Sequence, residues 1–471
     1  MAYNFFPADR EQMYLFPPSL KDWVPEGDLS WFILDAVGEM DLSAFYEGYR
    51  ADGLGGKGYE PSMMVALLLY SYCLGERSSR RIEWLCQRDV GFKVVAANLV
   101  PDHSSIARFR KDHEEKMKAL FMQVLRLCAE TGLVKVGVVA LDGTKIKGNA
   151  ALEANRTKES IDSEVERMFQ EAAAKDEEED RLYGERRGDE LPEGLRTRSD
   201  RLQRLKACRE QIERKERVIA MERETKKVQR SEKETRTGRK VRGRKPKDTK
   251  PEPAKANVTD PDSRIMKTRK GYVQGYNAQA AVTQEQIILA AEVTQEANDV
   301  KQLEPMVKRV LDNVQAVLPG AKVKVVEGDA GYWSKAAGEA SPAGPELLVA
   351  TSKDWKQRKA AREAPPPRGR IPRNLSARDR MERKLLTKRG RRLYKIRGKT
   401  VEPVFGQIKD VRKCDRFMRR GKSACDGEWK LIATTHNLLK LYKSGKRKGK
   451  NNPKRDVSAL ISRPQGLTMA A

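Results

Sequence analysis

The sequence predicts an α/β fold, in which a mixed sheet flanked by helices follows an all-α N-terminal domain and is interrupted by a long charged helical insertion. Short β-branched runs, such as residues 135–141 and 323–326, are typical of buried strands. From Pro61 onwards, apolar residues recur at three- and four-residue spacing, which indicates a helix with one apolar face. Between residues 151 and 228 the composition shifts to Glu, Lys, Arg and Ala, which favours solvated helices.

The charge of the chain favours a polyanion as its partner. Its 471 residues include 94 Lys and Arg against 67 Asp and Glu, a net charge of +27. Basic side chains that neutralise phosphates release condensed counterions, which drives binding to nucleic acid. A basic but merely solvated surface is the alternative. We expect no membrane partner, because the sequence has no lipidation signal and no basic amphipathic anchor helix.

Cysteine usage and the N-terminus indicate a soluble cytoplasmic protein. The six cysteines are scattered without a C-x-x-C pair, which argues against a structural zinc site and predicts buried, reduced thiols. The first residues lack the basic start and apolar run of a signal peptide. The longest apolar stretch, residues 63–74, is too short to span a bilayer.

Changes in composition divide the chain into six stretches. The first two are an N-terminal segment (residues 1–60) and a helix-turn-helix-like DNA-binding domain (61–130). The first strand of the α/β domain (131–150) is separated from the rest of that domain (259–442) by a charged insertion (151–258), and a disordered basic tail (443–471) follows. The insertion is predicted to be a helical hairpin interrupted near Pro192, followed by a disordered basic arm over residues 229–258.

One short helix is the candidate DNA-reading element of the N-terminal domain. In PDHSSIARFR (101–110), Asp102 can cap a helix whose first turns carry small polar residues and then arginines. Its candidate DNA contacts are Ser104, Ser105, Arg108 and Arg110. An ordinary helical bundle with solvated arginines explains the same pattern equally well.

Three acidic residues are candidates for a metal-binding active site. Asp142 and Asp329 each end a predicted strand, and Glu402 lies on a late helix. Neighbouring carboxylates repel one another unless cations neutralise them, and two Mg²⁺ or Mn²⁺ ions would do so while assisting phosphodiester cleavage. Taken singly, each acid also fits a turn or a solvated helix. Their order with the strands and helices between them is that of a ribonuclease H-like core.

The chain resembles DDE transposases of bacterial insertion sequences, and among them the group numbered eleven eighty-two. The matching stretches are PDHSSIARFR, ALDGTKIKGNA, DPDSRIMKTRKGYVQGYNAQAAV, VVEGDAGYWS, VEPVFGQIK and THNLLKL. The resemblance implies a ribonuclease H-like nucleotidyltransferase in which Asp142, Asp329 and Glu402 are catalytic and bind two metal ions. It also implies a helical domain that recognises transposon ends, cleavage there, and transfer of the 3′-hydroxyl into target DNA at the bacterial nucleoid.

Related transposases often carry a Tyr–Arg–Glu–Lys signature around the last acid. The candidates here are Tyr394, Arg397, Glu402 and Lys409, the first two and the last as DNA contacts. Glu402 and Lys409 are two helical turns apart, on one face. The spacing from Arg397 to Glu402 is one residue longer than usual, and a helix break at Gly398 would absorb it. A generic basic helix is the alternative interpretation for Tyr394 and Arg397.

Two other functions are compatible with these motifs. One is a catalytically silent DNA-binding derivative of a transposase, and the other is a ribonuclease H-like nuclease without strand transfer. For a transposase, the partners are the terminal repeats and the target DNA. A homodimer or higher oligomer is then expected, because pairing two transposon ends requires at least two active sites.

Overall fold

The computed structural model has a mixed α/β architecture. It describes residues 19–47, 49, 58–168, 170, 193–238, 240, 253–268, 271–334, 344–352, 363–372 and 374–449. The predictions for the first 18 residues, the turn of the hairpin, most of the basic arm and the tail from residue 450 lie outside the described residues. In the described ranges, no helix is both long and apolar enough to cross a membrane.

The N-terminal part of the described chain is helical. Its helices are α1 (Leu29–Gly38), α2 (Ser43–Tyr46), α3 (Pro61–Leu74), α4 (Ser79–Arg88), α5 (Val90–Val95), α6 (His103–Asp112) and α7 (Glu114–Glu130). The side chains of Asp28, Asp89 and Asp102 accept backbone N–H groups at the starts of α1, α5 and α6. Local acidic residues therefore fix where these helices begin.

Helix α3 is buried on every side, so the prediction of a single apolar face was wrong. Nearly all of its side chains are buried. The helices α1, α5 and the C-terminal helix α13 (Lys422–Gly449) pack around it. A helix surrounded by other helices is apolar all round. One continuous hydrophobic core therefore includes both the N-terminal helices and the sheet.

Within the described residues, the main sheet has six strands. They are β1 (Val138–Lys147), β4 (Arg264–Thr268), β5 (Gly271–Thr283), β6 (Ile288–Thr294), β7 (Val325–Gly328) and β8 (Glu346–Val349). The central pair, β1 and β5, is antiparallel, and β4 and β6 share the other edge of β5. On the far side of β1, strands β7 and β8 continue the sheet in parallel. The strands β2 (Asn155–Arg156) and β3 (Ala256–Asn257) form a separate two-stranded sheet.

Helices cover the main sheet. They are α10 (Leu303–Val317), α11 (Ala377–Leu386), α12 (Lys388–Gly406), which a π-helical turn extends over Gln407–Val411, and α13. On α13, Asn437 Oδ1 accepts the backbone N–H of Ile288, and its Nδ2 donates to the Ile288 carbonyl, both at 2.9 Å. Its neighbour His436 lies 2.9 Å from the Gln286 carbonyl, and burial lowers the pKa of His436 to about 3. The motif THNLLKL thus completes the edge of β6.

The charged insertion begins and ends beside the small sheet. Helix α8 (residues 158–168) and α9 (Glu193–Thr237) are antiparallel, since Glu164 pairs with Arg201 and Lys158 with Glu213. This agrees with the predicted hairpin. Helix α9 also includes residues 229–237, which had been predicted as disordered arm. Ion pairs four residues apart, such as Arg230 with Glu234, sustain a helix without apolar periodicity.

The closing helix is also longer than the sequence indicated. Helix α13 begins at Lys422 and ends at Gly449, so residues 443–449 are helical although they were predicted to belong to a disordered tail. All six cysteines are free and buried, as predicted.

Candidate active site

Strands β1 and β7 bring two aspartates to one edge of the sheet. The strands are parallel, and Ala140 pairs with Glu327. Asp142 and Asp329 each lie two residues beyond these partners. Residues at equal offsets from a paired position remain neighbours in a parallel ladder. Helix α12, which carries Glu402, packs against both strands.

The Asp142 carboxylate is mostly buried, with 20% of its side chain exposed. Its Oδ1 accepts the Gly143 N–H at 2.9 Å, and its Oδ2 lies 2.9 Å from Arg397 Nη2. Burial raises the pKa of Asp142 to about 6, opposed by the positive charge of Arg397 and reinforced by the negative charge of Asp329. Even beside Arg397, this carboxyl is therefore not fully ionised at neutral pH.

Arg397 lies among the acids of the site. Its side chain is only 11% exposed, and its Nε has no hydrogen-bond partner within the described part of the chain. Burial alone lowers the pKa of Arg397, but the charges of Asp142, Asp329 and Glu402, together with Tyr394, raise it above the usual value. Tyr394 precedes Arg397 by one helical turn. The guanidinium predicted to contact DNA thus lies against the candidate catalytic carboxylate of Asp142.

Helix α12 does not break at Gly398, contrary to the prediction. It is continuous from Lys388 to Gly406. A methyl group on Gly398 would lie 3.5 Å from Glu402 Oε1, so the Glu402 side chain folds back along its own helix. Pro403, one residue later, has no N–H to donate to the Lys399 carbonyl. The Gln286 side chain donates to that carbonyl at 3.4 Å, which helps to keep the helix intact.

The irregularity near the last acid lies after Glu402. Residues Gln407–Val411 form the π-helical turn. Contrary to the prediction, Lys409 therefore does not lie on the same α-helical face as Glu402. Lys409 Nζ instead donates to Thr144 Oγ1 at 3.1 Å and to the Lys145 carbonyl at 3.2 Å. Burial lowers its pKa. Lys409 therefore contacts β1 two residues from Asp142.

A fourth acid, Asp299, lies at this edge and was not identified from the sequence. Its Oδ1 accepts Nδ2 of Asn277 and Nε2 of Gln279, each at 2.7 Å. Lys145 Nζ lies 3.9 Å from the same oxygen. Asp299 occupies the turn before α10, where an isolated acid has no pattern to distinguish it from a solvated one. The polar Asn277 and Gln279 in the buried part of β5 were the available signal.

Glu327 was also overlooked. It is fully buried on β7, and neither carboxylate oxygen has a hydrogen-bond partner among the described residues. Burial raises the pKa of Glu327 to about 8, opposed by Arg397. An acid within the apolar run that ends at Gly328 was the signal in the sequence.

The donor chemistry of the site fits a hard divalent cation, because its candidate ligands are carboxylate oxygens. Across the described ranges, however, no three His, Cys, Asp or Glu side chains are grouped so that they could hold a metal ion. Arg397 provides the positive charge at Asp142 Oδ2. Coordination by Asp142 through this oxygen therefore requires Arg397 to withdraw.

The candidate DNA contacts on α6 fall into two groups. Ser104 and Arg108 are exposed, and Ser105 is partly exposed. Arg110 is instead held inside the helical bundle: its guanidinium donates to the Arg77 carbonyl at 2.9 Å and to Ser79 Oγ at 3.0 Å. Its predicted contact with DNA is therefore not supported, because both terminal nitrogens of its guanidinium are bonded within the helical bundle.

The exposed face of α4 was not singled out from the sequence. Arg81 and Arg88 both lie over the ring of Trp84, at 3.9 and 5.1 Å from its centroid. Trp84 is 38% exposed, and no carboxylate of the described residues pairs with either arginine. A guanidinium stacked on an aromatic face keeps its N–H edges free for an anion.

Two family models match the chain. Residues 18–112 match the model described as Transposase domain (DUF772), and residues 367–442 match the model described as Transposase DDE domain. Both models describe transposase domains, and together they support a DDE transposase of an insertion-element type. The second match includes Glu402, whereas Asp142 and Asp329 lie outside both matches. No curated protein and no solved structure matches the chain.

Proposed function

We propose that this transposase cleaves DNA at the ends of its insertion sequence and joins the freed 3′-hydroxyl to target DNA, with Asp142, Asp329 and Glu402 as its catalytic acids. The observation that carries the proposal is the parallel register of β1 and β7, which sets the two aspartates side by side against helix α12. Metal-assisted phosphodiester cleavage uses oxygen ligands grouped in this way, and a basic surface binds its polyanionic substrate.

The strand arrangement supports a ribonuclease H-like core. Strands β6, β5 and β1 form an antiparallel series, and β7 and β8 follow in parallel beyond β1. Helix α10 connects β6 to β7, and α12 follows β8. The proposed catalytic domain comprises residues 131–150 and 259–442. The insertion of residues 151–258 separates its first strand from the others, and residues 61–130 are the proposed DNA-recognition domain.

Asp142, Asp329 and Glu402 are the proposed ligands of two Mg²⁺ or Mn²⁺ ions. When bound, such ions supply Lewis acidity and neutralise charge at the phosphate that is cut. The buried Asp142 must lose its proton to bind a cation, which its raised pKa makes dependent on pH. Arg397 then leaves Asp142 and contacts a DNA phosphate, as do Lys409 and, through its hydroxyl, Tyr394.

Two neighbouring helices are proposed to contact the transposon end. Helix α6 presents Ser104, Ser105 and Arg108, and helix α4 presents Arg81 and Arg88 stacked on Trp84. Glu83 of α4 lies 2.8 Å from His103 of α6, which ties the two helices together. Arginines contact phosphates and small hydroxyls reach the backbone, while sequence is read at base edges.

The proposed partners are the terminal repeats and target DNA, bound by a homodimer or higher oligomer at the bacterial nucleoid. The described part of a single chain holds one such group of acids, and joining two ends at one target requires two. The long helix α9 is the proposed contact between copies, because Val218, Met221 and Val228 form an exposed apolar stripe on it.

A strand-cleavage assay on DNA that carries the element's terminal repeats tests the proposal. Asp142→Asn, Asp329→Asn and Glu402→Gln should each reduce Mn²⁺-dependent cleavage by more than about a hundredfold, the upper range for residues that only support a metal ligand. Activity that survives Asp142→Asn would contradict the site. A wild-type protein that binds the ends without cutting them would be a silent derivative. Cutting without a joined product would indicate a nuclease.

A further inference from the structure

Asp299 lies between the two segments that carry the proposed metal-binding aspartates. A methyl group on Gly143 would lie 2.6 Å from Asp299 Oδ1, and one on Gly331 would lie 3.2 Å from Asp299 Oδ2. Both distances are too short for an ordinary contact with carbon. Gly143 follows Asp142, and Gly331 lies two residues after Asp329. Both glycines thus leave room for the Asp299 carboxylate.

Two hydrogen bonds from β5 hold the Asp299 carboxylate. Its Oδ1 accepts amide protons from Asn277 and Gln279 on β5. Gln279 in turn accepts the Tyr332 hydroxyl proton through Oε1. Tyr332 is fully buried and belongs to the segment that carries Asp329. Asp299 is therefore linked through β5 to the far end of the Asp329 segment.

The Asp329 segment is itself held by a local bond. Gly331 N donates to Asp329 Oδ1 at 2.8 Å, and the Tyr332 N–H bonds to the Asp329 carbonyl at 3.2 Å. These bonds set the direction of the Asp329 carboxylate. Asp299 packs against Gly331 and so supports the turn from the side.

We propose that Asp299 is a positioning residue of the active site, whose carboxylate holds the Asp142 and Asp329 segments at the separation that metal binding requires. It acts through hydrogen bonds and packing rather than as a ligand, since Oδ1 is already bonded to two amides and faces the Gly143 side. Residues that orient metal ligands in this way affect metal affinity strongly. The inference rests on the proposed roles of Asp142 and Asp329.

Two substitutions at Asp299 separate positioning from charge. Asparagine keeps an oxygen that can accept both amides but removes the negative charge, whereas alanine removes both. Asp299→Ala should weaken Mn²⁺ binding by about tenfold or more, and Asp299→Asn by no more than roughly threefold, with melting temperatures close to wild type. Asp312→Ala is the matched control, because Asp312 is an exposed acid on the adjoining helix α10.

Hydrogen–deuterium exchange provides a measurement that does not depend on metal. Asp299→Ala should speed exchange in peptides that cover residues 138–147 and 325–334, and Asp299→Asn should not. Unchanged exchange and unchanged Mn²⁺ affinity in Asp299→Ala would overturn the proposal. Equal losses in both variants would also overturn it, since Asp299 would then act by charge. If the wild type binds no Mn²⁺, the proposed active site fails, while the exchange data still decide whether Asp299 positions the two segments.

Discussion

Arg397 Nη2 lies 2.9 Å from Asp142 Oδ2, so the cation beside the first proposed catalytic aspartate is supplied by the protein itself. The pair is largely buried, and a buried carboxylate without a partner is costly. Arg397 therefore stabilises the acid-rich edge of the sheet while it competes with any divalent ion for the same oxygen. Metal binding and the position of Arg397 should be thermodynamically linked.

Arg397→Ala should increase Mn²⁺ affinity, because it removes both the competing cation and the positive charge among the acids. We expect a gain of about tenfold, equivalent to ~1.4 kcal/mol, measured by titration calorimetry at pH 8, where Asp142 is ionised. DNA cleavage should fall in the same variant because a phosphate contact is lost. Arg392→Ala, an exposed arginine on the same helix, is the control. Unchanged or weaker Mn²⁺ binding would contradict the competition.

Glu327→Gln should stabilise the protein increasingly as the pH rises from 5 to 8. The folded pKa of Glu327 is raised to about 8 by burial, whereas the unfolded chain loses this proton near the ordinary value of 4.5. Between these values the folded state binds more protons than the unfolded state, so wild-type stability falls with pH. Glutamine has no proton to lose and avoids this penalty. Melting temperatures at pH 5, 6, 7 and 8 test the trend, and a difference that does not grow with pH would contradict it.

The sequence predicted the parts of this site that depend on local pattern. A β-branched run that ends in aspartate placed Asp329 correctly just beyond the end of β7. The same pattern was wrong for Asp142, which lies inside β1 because that strand continues to Lys147 in its pairing with β5. The partner of Arg397 could not be predicted, because it depends on how α12 lies across β1. Asp299 was missed for the same reason: its amide partners lie on β5, about 20 residues away in the chain.

In the helical regions too, the sequence predicted features that depend on local pattern and missed those that do not. Capping residues such as Asp102 indicated helix starts correctly. The extent of α9 and α13 was underestimated, since charge pairing along a helix leaves no apolar pattern to read. The burial of Arg110 was not foreseeable either, because its acceptors Arg77 and Ser79 come from a preceding turn and helix.

Arg81→Gln and Arg88→Gln should each weaken binding of DNA and reduce the dependence of log Kd on log salt by about one, the value for one lost phosphate contact. Trp84→Ala should weaken binding as well, because it removes the ring on which both guanidinium groups stack. Fluorescence anisotropy with terminal-repeat duplexes at several salt concentrations measures these effects. Arg126→Gln is the control, since Arg126 is exposed on α7. An equal change in slope for the control would contradict a specific role for α4.

Asn437→Ala should destabilise the fold by roughly 2–6 kcal/mol, because it leaves two buried backbone groups of Ile288 without partners at about 1–3 kcal/mol each. The side chain of Asn437 is fully buried and bonds to both groups at 2.9 Å. Asn437→Asp keeps an acceptor for the Ile288 N–H but loses the donor to the Ile288 carbonyl, so it should also destabilise the fold, and more at pH 8 than at pH 5, because a fully buried carboxylate is costly. Urea unfolding measures both. A loss below about 1 kcal/mol in Asn437→Ala would show that β6 does not depend on this side chain.

Gly143→Ala tests whether the edge of the sheet has any spare room beside Asp142. The added methyl carbon would come closest to Gln279 Nε2 and would lie 2.6 Å from Asp299 Oδ1 and 2.8 Å from Asn277 Oδ1. These three side chains are bonded to one another through Asp299 Oδ1, so none can withdraw easily. Gly137→Ala, just before the same strand, is the control, since nothing lies within 4 Å of its added carbon. We expect Gly143→Ala to lower the melting temperature and to weaken Mn²⁺ binding, and Gly137→Ala to change neither. Wild-type behaviour of Gly143→Ala would mean that Asp299 can shift freely, and that the packing between Asp299 and the Asp142 segment does not set the geometry of the site.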